Sequence, residues 1–97
     1  MTFTVAIDGR ITVNTSDEMR RKLLAALRSS PGQITVDLSR ATYMDSSGVA
    51  TLLEATHIAR SQSTSIVLAG VSGQPRSLLA VANLDRLFEF APQEKDE

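Results

Sequence analysis

The sequence predicts an α/β fold: one domain in which helices pack against a mixed β-sheet. Two observations carry that expectation. Apolar and polar residues alternate through Phe3-Val5-Ile7, Ile11-Val13 and Ile34-Val36-Leu38, the period of strands with one buried face. Between these runs and beyond them, apolar residues fall at helical spacing, as at Met19, Leu23 and Leu27 or at Val49, Leu52 and Leu53. Helices placed between strands imply right-handed crossovers, so part of the sheet is expected to be parallel.

The first strand covers Phe3 to Ile7. Asp8-Gly9 is a two-residue hairpin signal, and Ile11 and Val13 resume the alternation, so the first two strands are expected to pair antiparallel. Thr15-Ser16-Asp17-Glu18 offers a capping residue with Glu three positions later, the pattern of a capping box. The helix behind it gathers Met19, Leu23, Ala26 and Leu27 on one stripe and leaves Arg20, Arg21, Lys22 and Arg28 mostly off it. Ser29-Ser30-Pro31-Gly32 breaks that helix, and Ile34 to Leu38 forms the next strand. A second helix, from Ser46 or Ser47 to Arg60, is expected to turn Val49, Leu52, Leu53 and Thr56 inward. The hydroxyl-rich stretch Ser61 to Ser65 is a loop, because short polar side chains compete for backbone hydrogen bonds. Ile66-Val67-Leu68-Ala69 is the continuous apolar run of a strand buried on both faces. Gly70 to Gly73 turns the chain, and Pro75 suits the first position of a third helix with Leu78, Leu79 and Ala82 as its apolar residues. Leu84, Leu87, Phe88 and Phe90 are expected to pack back on the sheet, with a short edge strand at Phe88 to Phe90. The ordered body is expected over residues 3–90, with 91–97 frayed.

Composition narrows the function. The 97 residues suit one core, and 42% apolar with 22% charged residues is ordinary for a globular chain. A net charge of −1 provides no basic face for nucleic acid. With no cysteine and a single histidine, His57, neither a disulfide frame nor a credible metal site is expected. The N-terminal residues lack the basic region and apolar run of a signal peptide, and no stretch approaches the roughly 20 apolar residues of a membrane span. A cytoplasmic protein without membrane insertion is the expectation. Neither the elbow G-x-S-x-G nor G-x-x-x-x-G-K-[ST] is present. His57 lies about three helical turns from Ser46, roughly 16 Å, so Ser46, His57 and Asp45 do not read as a triad. No enzyme and no cofactor are expected.

The chemistry concentrates in Asp45-Ser46-Ser47-Gly48-Val49. An acid, two hydroxyls and a glycine stand where the chain enters a helix; unpaired N–H groups gather there and the helix dipole favours negative charge. Asp45 and Ser46 suit a helix cap, Gly48 suits close packing, and a hydroxyl on that turn is also placed to carry a phosphate.

With this order of elements, the chain resembles the STAS domain family, shared by sulphate transporters and anti-sigma factor antagonists. The resemblance rests on Asp45-Ser46-Ser47-Gly48 after an apolar strand and Tyr43-Met44, on Asp8-Gly9-Arg10-Ile11, and on Asn83-Leu84-Asp85-Arg86-Leu87-Phe88. It covers the chain from Phe3 to Phe90 and implies a STAS-like fold. It also implies that Ser46, the first serine after the aspartate, accepts phosphate from a partner that is both serine kinase and anti-sigma factor. A phosphatase would reset the cycle. Asp45, Ser46, Ser47, Gly48 and Val49 would then form the partner-binding site. A second branch of the family, small subunits bound to the ATPase of a phospholipid-trafficking ABC transporter, is also similar through Val49-Ala50-Thr51-Leu52-Leu53. Many members end in a further helix, for which only Ala91 to Glu97 remains here.

Overall fold

Along residues 1–92, which the computed structural model describes, the chain forms β1 (Thr2–Ala6), β2 (Gly9–Ile11), α1 (Ser16–Leu27), β3 (Gln33–Asp37), β4 (Ala41–Met44), α2 (Ser46–Ser61), β5 (Ser65–Ala69), α3 (Gly73–Val81) and β6 (Glu89–Phe90). Four strands make the main sheet in the order β1-β3-β5-β6, and β2 pairs with β4 in a second, two-stranded sheet. Every observed pairing is parallel. This is an α/β fold of STAS type. The expected frayed segment 91–97 falls largely outside the described residues.

Residues in register share a face of the sheet. Phe3, Ile34 and Ile66 make one row, and Val5, Val36, Leu68 and Phe90 make the next. These rows meet the helices: Ile34, Val36 and Leu68 are fully buried with Met19, Leu23 and Leu27 of α1 and Leu52, Ala55 and Ala59 of α2. Each fully buried aliphatic side chain contributes about 1.5–3 kcal/mol of transfer free energy. The opposite face bears Thr4, Thr35 and Glu89 beside Val67. Its hydroxyls and charge stay compatible with water, so this parallel sheet tolerates one thinly covered face. The helices α1 and α2 lie side by side, joined by Arg20, whose Nε and Nη2 donate to the Glu54 carboxylate at 2.8 and 2.9 Å.

Several sequence expectations change here. Asp8-Gly9 does turn the chain, with Gly9 at φ 78°, but β2 does not fold back on β1. The Gly9 N–H donates to the Arg40 carbonyl at 2.9 Å, which carries β2 to β4 instead. β4 itself was not anticipated: Arg40, Thr42 and the polar turn before it mask a four-residue strand. The capping box is absent. Thr15 is the N-cap of α1 without a side-chain cap bond, because its hydroxyl is turned back on the preceding turn, accepting from the Thr12 N–H at 2.9 Å and donating to the Arg10 carbonyl at 2.7 Å. Pro75 occupies the third rather than the first position of α3, where its missing N–H is still one the helix would not have used. Leu53, Ala82 and Leu87 face solvent instead of the core. On α2 the inward positions belong to Thr51, Leu52, Ala55 and Ala59, a stripe that rotates Leu53 outward.

Candidate functional site

The turn between β4 and α2 is fixed from three sides. Its last strand residue, Met44, is fully buried, and the Asp45 N–H donates to the Ile11 carbonyl of β2 at 3.0 Å. On the other edge of β4, the side chain of Gln74 in α3 acts as a substitute strand. Gln74 Oε1 accepts from the Met44 N–H at 2.8 Å, and Gln74 Nε2 donates to the Met44 carbonyl at 2.9 Å. A strand of four residues paired on one edge with three would be marginal alone. Gln74 supplies the missing partner.

Asp45 is the N-cap of α2, in extended conformation at φ −111° and ψ −171°. Its carboxylate accepts from the Ser47 N–H at 2.9 Å and from the Ser47 hydroxyl at 2.5 Å. Its carbonyl accepts from the N–H groups of Gly48 and Val49 at 3.1 and 3.3 Å. One residue thereby satisfies two of the four N–H groups a helix start leaves open, those of Ser47 and Gly48, and accepts the first intrahelical bond from Val49. The Ser47 hydroxyl, with help from the N–H groups of Ser47, Gly48 and Val13, holds the Asp45 carboxyl below the usual carboxylate range despite some opposing desolvation. Asp45 is therefore an anion at neutral pH.

The two serines differ. Ser47 is half-buried and its hydroxyl is committed to Asp45. Ser46, the first residue of α2, is exposed, and among the described residues its hydroxyl has no partner. Sequence alone could not separate the two. The arrangement leaves Ser46 as the oxygen on this turn that another protein can reach.

Gly48 and Val49, grouped by sequence with the docking residues, lie beneath the site. Val49 is 7% exposed. A Cβ on Gly48 would stand 2.7 Å from Met44 Cγ and 2.8 Å from Ile11 Cγ2, closer than carbon atoms approach. The glycine lets the first turn of α2 sit directly on β2 and β4. Asp45, Ser46 and Ser47 form the accessible part.

Two contributors escaped the sequence reading. Gln74 lies 30 residues from Met44, and a polar residue near a helix start gives no long-range signal. Val13 was assigned to an alternating strand, yet it sits on the turn before α1, 71% exposed, where its backbone helps to lower the Asp45 carboxyl pKa. His57 is exposed on α2, and among the described residues no group of three or more His, Cys, Asp or Glu could hold a metal ion. No helix among them is long and apolar enough to cross a membrane.

Comparison with known proteins agrees with this geometry. Residues 2–89 match the family described as Mlab, STAS domain, and the chain belongs to that STAS family. It is 32% identical over 88 residues to a STAS-domain containing protein of Pseudomonas aeruginosa, covering 91% of this chain and 86% of that one. Among solved structures it is similar to the anti-sigma factor antagonist SpoIIAA in its unphosphorylated form, with TM-score 0.77 and 20% identity over 95% of this chain and 81% of that one. It is equally similar to a sulfate transporter family protein from Wolinella succinogenes, with TM-score 0.78 and 18% identity over 92% of this chain and 75% of that one. At such identities the two structures establish the shared fold. STAS domains are in general non-catalytic binding modules.

Proposed function

We propose that this STAS domain is an anti-sigma factor antagonist whose binding is switched by phosphorylation of Ser46. The observation that carries the reading is the free, exposed Ser46 hydroxyl at the head of α2, next to a Ser47 hydroxyl already committed to Asp45. Likeness to an unphosphorylated anti-sigma factor antagonist supports it. In the unmodified state the protein binds an anti-sigma factor that is also a serine kinase, and so releases the sigma factor. Phosphate adds about −1.5 to −2 charge at neutral pH. Facing a partner's acidic group at about 5 Å, that charge costs on the order of 1–3 kcal/mol, roughly a 5- to 150-fold loss of affinity. A phosphatase restores binding. The second reading, a subunit on the ATPase of a phospholipid-trafficking ABC transporter, draws support from the match to the family described as Mlab. It uses the same face without requiring the phosphate.

Incubation with ATP and a serine kinase, should one be encoded beside this gene, read by mass spectrometry, is expected to add one phosphate to the wild type and none to Ser46→Ala. Equal labelling of Ser46→Ala removes Ser46 from the role. If the adjacent genes encode a permease and an ATPase instead, and the ATPase co-purifies with Ser46→Ala undiminished, the second reading replaces the first.

A further inference from the structure

The two edges of the main sheet are finished differently. β6, at one edge, has two residues and carries Glu89, the short and charged kind of edge that discourages the addition of another strand. β1, at the other, has five residues, and from Met1 to Ile7 there is neither a charged side chain nor a proline. Its pairing with β3 uses the odd-numbered residues: the Met1 carbonyl accepts from the Gln33 N–H at 3.2 Å, and the Ile7 N–H donates to the Asp37 carbonyl at 3.0 Å. The N–H and carbonyl groups of Thr2, Thr4 and Ala6 therefore point out of the sheet edge, and all three residues are exposed. Among the described residues no backbone group bonds to them, since β1 pairs with β3 alone.

The occupant that satisfies such groups is a strand, and β1 fits its own copy. Antiparallel pairing about a two-fold axis at Thr4 sets Thr4 against the partner's Thr4 and Thr2 against the partner's Ala6. These are the hydrogen-bonded positions, so every open N–H and carbonyl finds a partner. Phe3 then falls opposite the partner's Val5 in the closer, non-hydrogen-bonded position, an aromatic and β-branched pair of the kind that stabilises sheets. Both side chains are half-buried, although Ile34 and Val36 beside them in the same rows are 0% exposed, so apolar surface stays open at this edge. The ends of the register agree as well. Met1, 78% exposed and on the same face as Phe3, falls opposite the partner's Ile7. Ile7 lines a groove of about 270 Å³ whose floor includes buried Ile11 and Met19, an apolar seat for a flexible thioether side chain.

We propose that β1 pairs antiparallel with β1 of a second copy, on a two-fold axis at Thr4, and seats Met1 in the partner's groove. The two main sheets then continue into one another, and the unblunted edge is covered in both copies. One short strand from each copy buries less than the roughly 1,600 Å² of a standard interface, so the dimer is weak and assembles with concentration. The turn between β4 and α2 takes no part in the contact. This inference and the reading of Ser46 therefore stand or fall separately.

Sedimentation equilibrium of the full chain is expected to show monomer and dimer in exchange, half-dimerised at about 0.1 mM. Hydrogen exchange at rising concentration should slow the amides of Thr2, Thr4 and Ala6, and leave unchanged those of Phe3 and Val5, which already face β3. Thr4→Lys sets like charges against each other at the axis; it is expected to weaken dimerisation about tenfold at low salt, with part of the loss recovered at about 1 M salt. Dilute Thr4→Lys should melt as the wild type, because the side chain is exposed. Thr4→Pro removes an N–H that makes no bond within the chain and is expected to abolish the dimer. Ser65→Lys, exposed on the same face but on an inner strand, is the control and should dimerise as the wild type. A chain without Met1 should dimerise severalfold more weakly, and an unchanged constant removes Met1 from the groove. A wild type that stays monomeric to about 1 mM, a dimer indifferent to Thr4→Lys, or one in which those three amides exchange as before overturns the proposal.

Discussion

Replacing Gly48 by alanine separates the architectural part of the motif from its switching part. The helix gains from the change, since alanine is about 1 kcal/mol better than glycine in a helix interior. The packing loses. The new methyl would lie 2.7 Å from Met44 Cγ, 2.8 Å from Ile11 Cγ2 and 3.3 Å from Met44 Sδ. Neither neighbour can retreat easily, because Met44 is 0% and Ile11 1% exposed. Inserting a methyl into such a core costs about 1–3 kcal/mol, and two simultaneous overlaps place this site in the upper part of that range. The net is a destabilisation of about 1–2 kcal/mol, which for a domain of this size lowers the melting temperature by about 5–10 °C. Thermal unfolding followed by circular dichroism reads it directly. The double variant Gly48→Ala with Met44→Ala should recover part of the loss of Gly48→Ala relative to Met44→Ala alone, since the truncated side chain makes room. A Gly48→Ala protein that melts at or above the wild-type temperature would show that α2 does not press on β2 and β4 as described.

Two further outcomes follow from the same turn. Gln74→Met keeps the length of the side chain but strands the Met44 N–H and carbonyl; a loss of about 2–3 kcal/mol is expected, with faster hydrogen exchange of the Met44 amide, and unaltered exchange would mean that Gln74 is not its partner. Asp45 has a folded pKa below its unfolded value of about 3.9, so its contribution is present above that pH and is lost as pH falls through the folded pKa. Asp45→Asn retains an acceptor oxygen for Ser47 yet has no such loss, so its melting temperature should fall less than that of the wild type between pH 5 and pH 2; parallel pH profiles would contradict the assignment.

What the sequence disclosed follows from which interactions are local. Met19, Leu23 and Leu27, the alternation of Ile34, Val36 and Leu38, and the uninterrupted Ile66-Val67-Leu68 each report their own burial through spacing, and all are in the core. Asp45 as a cap was equally legible, because it acts within one turn of its own position; Gly48 showed as a close-packing residue by its type, while its approach to Ile11 of β2 did not. Pairing between distant segments was not. Asp8-Gly9 specifies a turn but not which strand receives β2, and the receiving strand β4, preceded by Arg40 and interrupted by Thr42, has no clean alternation. Adjacent leucines posed a similar problem at Leu52-Leu53, where helical rotation of 100° per residue allows only one of the pair to face the centre of the core. Gln74 was invisible for a stronger reason: its amide imitates a strand, and no periodicity marks such a residue.

The same hydrogen bonds that make the turn rigid also determine where a new charge on Ser46 acts. A helix N-terminus ordinarily welcomes a phosphate through its open N–H groups. Here Asp45 has taken those of Ser47 and Gly48 with its carboxylate and carbonyl. Its own negative charge, stabilised by the Ser47 hydroxyl, repels a second anion one residue away. A phosphate on Ser46 therefore gains little from turning back toward the helix and loses least by pointing into solvent. The core beneath, Met44, Ile11 and Val49 around Gly48, contains no group that responds to that charge. Phosphorylation is thus expected to leave the melting temperature nearly unchanged while altering association, because the modification meets the partner before it meets the fold. A fall in melting temperature comparable to that of Gly48→Ala would show instead that the phosphate displaces Asp45 from its cap, and the switch would then work by loosening α2.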